Sequence, residues 1–568
     1  MTPTRCLAFL PVAVLTLSLA LPAAAQDKPR VRLAEGGGVL VEGQPFLPIF
    51  VWAQPSSTLE FHKALGINTM HPGESGEKDP INAYLDKLQK SGMFALVNLE
   101  AMNDQTQGHP AVLAWTVEHE PDMAQKPAYA PDLSGDPTIV WIEGENPKES
   151  TLRRAGWLDS KLPQLSGERW LTSDGNGLGQ ALYEFEAKKA GSYNLWVREF
   201  NKSWANPTIW GLNGAAEQTT PRSLKGQDVV DLGSSRGVGW TLYGPVELKE
   251  GKNTLVLKIA SGRTAGGADK EPVKEAIWAV DAICFTPAAK YPPPKPADPL
   301  PKRLPEVEKA NYEKVKKALP AALTWNILSS QFYGPYQKTA NLPMKYYEGF
   351  LRWTDITSFD HYPVTGWNQP GRLPEVGLAT RQLVGLARKG QSVWTIVEAS
   401  DQELSWTAPE TKGPTGPQMR AEVWMSIAGG AKGIGYFTIA FGRGKKFQWN
   451  NLTDEIQAEM KRTNGELTEL AGPIVLGDTE KKLTVTGDDT KDASAAGHAI
   501  QAIRKEYKGK TYVLAVNVTA QAAKPTFRLE GVSAKQAGVW KENRSVSLAD
   551  GSFADDFPPL AVRVYVIE

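Results

Sequence analysis

The 568-residue sequence predicts an α/β fold: a (β/α)8 TIM barrel carrying an inserted β-sandwich and ending in a second β-sandwich. Three observations lead there. Eight short apolar runs alternate with helix-like stretches, which is the pattern of a parallel sheet. A block over 138–285 lacks helical periodicity and shows short strand-like runs split by Gly, Asn and Ser clusters. Removing that block leaves 46–122 and 306–472, 244 residues, close to the ~250 that a closed barrel of this kind needs.

The elements follow in chain order. Residues 1–25 read as a signal peptide: Arg5, an apolar run from Leu7 to Leu21, and small residues at Ala23 and Ala25 before Gln26. The run is shorter than the ~20 residues of a membrane span. The chain is therefore expected to be secreted or periplasmic. Residues 26–126 carry barrel strands one to four, at 46–54, 67–72, 94–100 and 112–121. Residues 127–302 hold the inserted sandwich with its linkers, the second of them proline-rich and extended over 286–305. Residues 303–472 carry strands five to eight, at 323–330, 355–364, 392–400 and 432–440. Helices are expected over 81–91, 306–318, 374–389 and 418–429. Residues 473–568 return to strands as the terminal sandwich.

Composition narrows the function. Lys plus Arg equals Asp plus Glu, 63 against 63, so there is no cationic excess to hold a nucleic acid. No run beyond the signal is long and apolar enough for a membrane span. The mature chain keeps one thiol, Cys284, which excludes structural disulfides and Cys-based zinc sites. With six His and no HExxH spacing, metal catalysis is not expected either. Trp is abundant at 18 residues, which suits stacking on a flat partner as well as core packing. Nothing in the composition defines an oligomeric state.

Barrel enzymes place their chemistry at the carboxyl ends of the strands. The fourth strand ends in Glu118-His119-Glu120-Pro121, the sixth in Asp360-His361-Tyr362-Pro363, and the seventh in Glu398-Ala399-Ser400. A carboxylate inside a barrel mouth is costly unless it is paired or used. Two glutamates facing each other across the mouth, ~5–5.5 Å apart, suit glycosidic cleavage with retention. One serves as acid and the other as nucleophile, so their environments must separate their pKa values.

The segments "HPAVLAWTVEHEPD", a strand ending in Tyr-Pro, and "VWTIVEAS" resemble clan A of the glycoside hydrolases. The resemblance covers the barrel, roughly 240 residues. It implies Glu120 as acid/base, Glu398 as nucleophile, and Tyr362 as a hydrogen-bond partner of the nucleophile. It implies that no cofactor is required. The clan's Asn before the acid/base is His119 here, which either binds substrate or is a structural histidine. Glu118, two residues from Glu120, shares its strand face and competes for the same role.

Substrate-binding candidates near the mouth are Trp52 and Gln54 on strand one, His71 on strand two, Asn326 on strand five, and Asp360 and His361 on strand six. Trp367 and Trp406, in the loops after strands six and seven, either stack on sugar rings or cap the core. Glu100, Tyr436 and Phe437 lie at the ends of strands three and eight.

The insertion, with "GSYNLWVREF" and "LKEGKNTLVLKI", resembles jelly-roll carbohydrate-binding modules. The resemblance implies a structural calcium site, matched loosely by Glu143, Glu145 and Asp281, oxygen donors of the kind calcium takes. Trp204, Trp210 and Trp240 are candidates for a sugar platform, and the block is expected to overhang the barrel mouth. Two functions remain. One is an exported retaining glycoside hydrolase acting on β-linked oligo- or polysaccharides. The other is a non-catalytic glycan-binding protein on a degenerate glycosidase barrel.

Overall fold

The computed structural model describes residues 30–568 apart from 74–77, 126–128, 153–157, 160, 163, 175–177, 203–204, 221–225, 234–235, 262–275, 296–297, 336–341, 402–410 and 442–446. The expected signal peptide and Trp204 and Trp406 therefore lie outside the described residues.

Eight parallel strands close into a barrel. They are Ile49–Gln54, Thr69–Pro72, Phe94–Asn98, Val112–His119, Thr324–Ser329, Ile356–Asp360, Ser392–Glu398 and Ile434–Phe437. Each falls within one of the eight apolar runs of the sequence. Alternate residues point into the lumen, where Phe50, Trp325, Trp394 and Ile396 pack as one core. Phe50 lies 5.4 Å from Trp325 and 5.5 Å from Trp394, ring centre to ring centre. Gly435 makes room for this: a Cβ there would sit 2.4 Å from the Phe50 ring.

Helices Ile81–Lys90, Pro305–Ala318, Lys345–Arg352, Glu375–Leu386 and Gly416–Gly429 cover the outside. The last starts at a capping box formed by Thr415 and Gln418. It is buried along most of its length, because it packs on strand seven on one side and on the terminal sandwich on the other.

Before the barrel, strands Val31–Leu33, Val39–Val41 and Gln44–Pro45 form a small antiparallel sheet. Val39 joins the lumen core, packing with Phe94, Leu113 and Ile356 at the amino ends of their strands. The sheet plugs the end of the barrel opposite the mouth. The sequence reading had no element there, since its strands are only two or three residues long.

The insertion is a sandwich of a five-stranded and a six-stranded antiparallel sheet. Its two connections are tied together: Ala124–Gln125 pairs antiparallel with Leu300–Pro301, and Pro131 bridges Pro294. The proline-rich linker begins packed rather than free, with Tyr291 stacked on Trp240 at 4.4 Å. Trp210 and Trp240 are buried strand residues, which corrects their expected role as an exposed platform. The terminal region opens with a short helix, Ala471–Leu476, before a three-stranded and a five-stranded sheet. Among the described residues no helix is long and apolar enough to cross a membrane.

Candidate active site

A cavity of about 900 Å3 opens at the carboxyl ends of the barrel strands. Trp52, His71, His119, Glu120, Asp360, Tyr362 and Trp367, all expected from the sequence, line it. Among the described residues its lining belongs to the barrel and its loops, and none comes from 127–302.

Glu120 stands just past the end of strand four, with φ 48°. A left-handed non-glycine residue costs about 1–3 kcal/mol and persists where the surroundings enforce it. Its N–H donates to the Ile327 carbonyl at 2.7 Å. Pairing between strands four and five also shifts register just before Glu118. These departures break strict alternation. Glu118 faces outward, where it accepts from Asn311 of the outer helix at 3.1 Å, while Glu120 faces the cavity.

Asp122 fastens the turn that follows. Fully buried, it accepts from the Ser329 N–H at 2.7 Å, the Ser329 hydroxyl at 3.1 Å and the Tyr347 hydroxyl at 3.0 Å. Burial pushes its carboxyl up to about 7.

The carboxyl that meets Glu120 is that of Asp360. The two carboxyls lie within hydrogen-bonding reach of each other. Burial is the main cause that raises the Asp360 carboxyl well above its ordinary range, and the negative charges of Glu120 and Asp122 add to it. Tyr362 donates its hydroxyl to Asp360 and packs against Phe437 at 5.1 Å.

Glu120 and Glu398, the pair expected from the sequence, both lie close enough to Tyr362 for their charges to act on its hydroxyl. Glu398 is fully buried beneath the cavity lining. One of its oxygens accepts from the Val364 N–H at 2.7 Å and the other from the Thr365 N–H. Glu422, on helix Gly416–Gly429, is the neighbouring carboxyl to which Glu398 is electrostatically coupled. Burial pushes Glu398 up to about 7, against these hydrogen bonds, and raises Glu422 well above the usual range. The reason is tertiary: the loop after strand six crosses the end of strand seven and turns its amides onto Glu398.

Trp52 lies 5.1 Å from His119 and 5.8 Å from His71, both stacked. His71 also meets Asn98 at 2.9 Å, and burial lowers its imidazole to about 4, so it is neutral at pH 7. His119 is exposed at the rim. Trp367 sits edge-on to His361 at 4.5 Å, with the Arg372 guanidinium 5.0 Å from its ring centre.

Three expected contacts are turned away from the cavity. Asn326 faces the outer helix and donates to Glu308 at 2.6 Å, as alternation from Trp325 requires. His361 alternates with Asp360 and faces Glu375 at 3.6 Å. Gln54 is held by Thr438, His62 and the Trp449 carbonyl. Ala53, with φ 51°, breaks the alternation and takes its place in the lining. Tyr436 is also outward and donates to Asn464 at 2.7 Å. Glu100 lies on the exposed turn after strand three.

Several lining residues escaped the sequence reading: Met123, Ser329, Ser330, Gln331, and Ile439, Phe441, Phe447 and Trp449 after strand eight. The aromatic density of 437–449 was the available signal.

In the insertion, Asp281 is buried and bonded to Arg198 and to the Ser166 N–H. Glu143 accepts from the Trp141 indole at 2.9 Å. Glu143 and Glu145 lie near enough to Asp281 to raise its carboxyl, after burial, to about 7. Among the described residues no three His, Cys, Asp or Glu side chains are arranged to hold a metal ion.

No family model and no curated protein matches the sequence. Solved structures similar to it in part include an α-amylase from Anoxybacillus, at 11% identity and TM-score 0.31 over 47% of this chain and 56% of that one. A bifunctional glucanase-xylanase from a metagenome library matches at 14% identity and TM-score 0.30, over 46% and 60%. An α-L-arabinofuranosidase from Thermotoga maritima matches at 13% identity and TM-score 0.28, over 46% and 61%. The chain thus spans little more than half the length of the solved chains it matches.

Proposed function

We propose that the protein is an exported glycoside hydrolase acting on β-linked saccharides. The observation that carries this reading is the adjacent Glu120–Asp360 carboxyl pair at the mouth of an aromatic-lined barrel cavity. Cleaving a glycosidic bond needs a proton for the leaving oxygen and a carboxylate for the positive charge that develops at the anomeric carbon. Asp360, raised well above its ordinary range mainly by burial, is suited to supply the proton, and Glu120 stands beside it as the second carboxyl. On this reading Asp360 is the acid and Glu120 the nucleophile. The resemblance to clan A implies a different pair, Glu120 as acid/base and Glu398 as nucleophile.

In this mechanism Asp360 protonates the departing oxygen while Glu120 attacks, forming a glycosyl-enzyme. Asp360 then deprotonates water, which releases the sugar with retention. That chemistry needs the two carboxyls ~5–5.5 Å apart, so this assignment requires the bound saccharide to separate them. Tyr362 positions Asp360 from below.

A leaving-group series tests the assignment. Asp360→Ala should slow glycosides with poor leaving groups far more than activated aryl glycosides, and Glu120→Ala should slow both. The reverse pattern restores Glu120 as the acid. Loss of all turnover in a folded Glu398→Gln protein restores Glu398 as nucleophile.

A second reading, a glycan-binding protein without turnover, is favoured by the occupied oxygens of Glu398. Saccharide binding with no cleavage across aryl β-glycosides and plant or algal polysaccharides would establish it.

A further inference from the structure

The cavity has two unlike walls. Strands four to six supply the polar one, with Glu120, Ser329, Ser330, Gln331 and Asp360. The eighth strand and the chain after it supply the other, with Phe437, Ile439, Phe441, Phe447 and Trp449. Ala440 and Gln448 pair antiparallel, so 437–441 and 447–449 lie side by side and present their apolar side chains together.

This apolar wall is built in place. The Trp449 carbonyl accepts from Gln54 and from Thr438, each at 3.0 Å. Its ring lies over Gly73, where a Cβ would come within 3.2 Å. Phe447 stands edge-on to Trp449 at 4.5 Å and is 43% exposed. A large ring left in water at a pocket rim costs hydrophobic free energy that an apolar ligand recovers. Among the described residues this wall offers no polar side chain to replace the water that a seated sugar residue would lose from its hydroxyls.

We propose that the substrate is a glycoside of an apolar alcohol. Its sugar faces Glu120 and Asp360, and its alkyl, aryl or lipid aglycone lies along Phe437, Ile439, Phe441, Phe447 and Trp449. The inference rests on the glycosidase reading and names its substrate class. Water adds across the glycosidic C–O bond: hydroxyl goes to the anomeric carbon and the proton to the aglycone oxygen. The products are a free sugar and an apolar alcohol, with no redox partner. A cavity of about 900 Å3 is in the range that takes a drug-sized ligand with both parts.

The test uses the sugar accepted in an aryl-glycoside screen, offered as its methyl, n-octyl and phenyl glycosides and as its β-linked disaccharide. The full chain should show kcat/KM at least tenfold higher for the octyl and phenyl glycosides than for the methyl glycoside and the disaccharide. Phe447→Ser, at an exposed position, should cut the octyl-to-methyl ratio about fivefold or more. A disaccharide turned over as well as the octyl glycoside overturns the proposal, as does an unchanged ratio in Phe447→Ser. If no glycoside is cleaved, the parent reading fails on its own. Tryptophan fluorescence titration with n-octyl β-D-glucoside below its micelle concentration then decides the wall: binding weakened by Phe447→Ser supports it, and no binding overturns it.

Discussion

Asp360 shows how far one side chain depends on its surroundings. An exposed aspartate titrates near ~3.9, yet burial and two neighbouring carboxylates keep this one protonated well above that. Asp360→Asn keeps the shape and removes the transferable proton. We expect kcat to fall by about 10^2–10^4, with thermal stability unchanged or higher, since a buried ionisable group is gone. Steady-state kinetics and a melting curve check both. A variant that keeps wild-type kcat would remove Asp360 from the chemistry. Gly435 makes a packing prediction at the same scale. Gly435→Ala drives a methyl group to 2.4 Å from the Phe50 ring in the lumen core. Overpacking of this kind costs about 1–3 kcal/mol, to be read from the urea midpoint.

Helix Gly416–Gly429 is the element that links the site to the rest of the protein. It carries Glu422 to Glu398, and Glu398 holds the Val364 and Thr365 amides next to Asp360 and Tyr362. The consequence for pH follows from the raised values. Unfolded, Glu398 loses its proton near ~4.3; folded, near 7. Between these values the unfolded chain releases a proton that the native protein keeps, so stability falls as pH rises through that window. Asp122 and Asp281, both raised to about 7, act in the same direction. The melting temperature should therefore be higher at pH 5 than at pH 8. Glu422→Gln, which removes the carboxyl coupled to Glu398, should flatten that slope. A melting temperature that climbs from pH 5 to 8 would contradict the assignment.

For the molecule as a whole, the connections to the inserted sandwich pair with each other where they leave the barrel, Ala124–Gln125 against Leu300–Pro301. The sequence reading expected the block to overhang the mouth. No described residue of 127–302 lines the cavity. Replacing 132–293 with a short Gly-containing turn should leave turnover of small aryl glycosides within a few-fold of wild type. A loss of a hundredfold or more in a folded product would return the sandwich to the active site.

The strands and their order were legible because they depend on local pattern. An apolar run of six to ten residues supplies a buried strand, and eight of them alternating with helices leave few other arrangements. Glu120 was legible for the same reason, being the carboxylate at a strand end before a proline. What the tertiary structure decided was direction and partnership. Ala53 and Glu120 take left-handed backbone angles that reverse which neighbour faces the cavity. The loop after strand six turns two amides onto Glu398, and Asp360 stands beside Glu120. Such choices arise where loops from distant parts of the chain close over strand ends. Periodicity describes a residue's neighbours along the chain, whereas the state of a buried carboxyl is set by charges and donors brought to it through space.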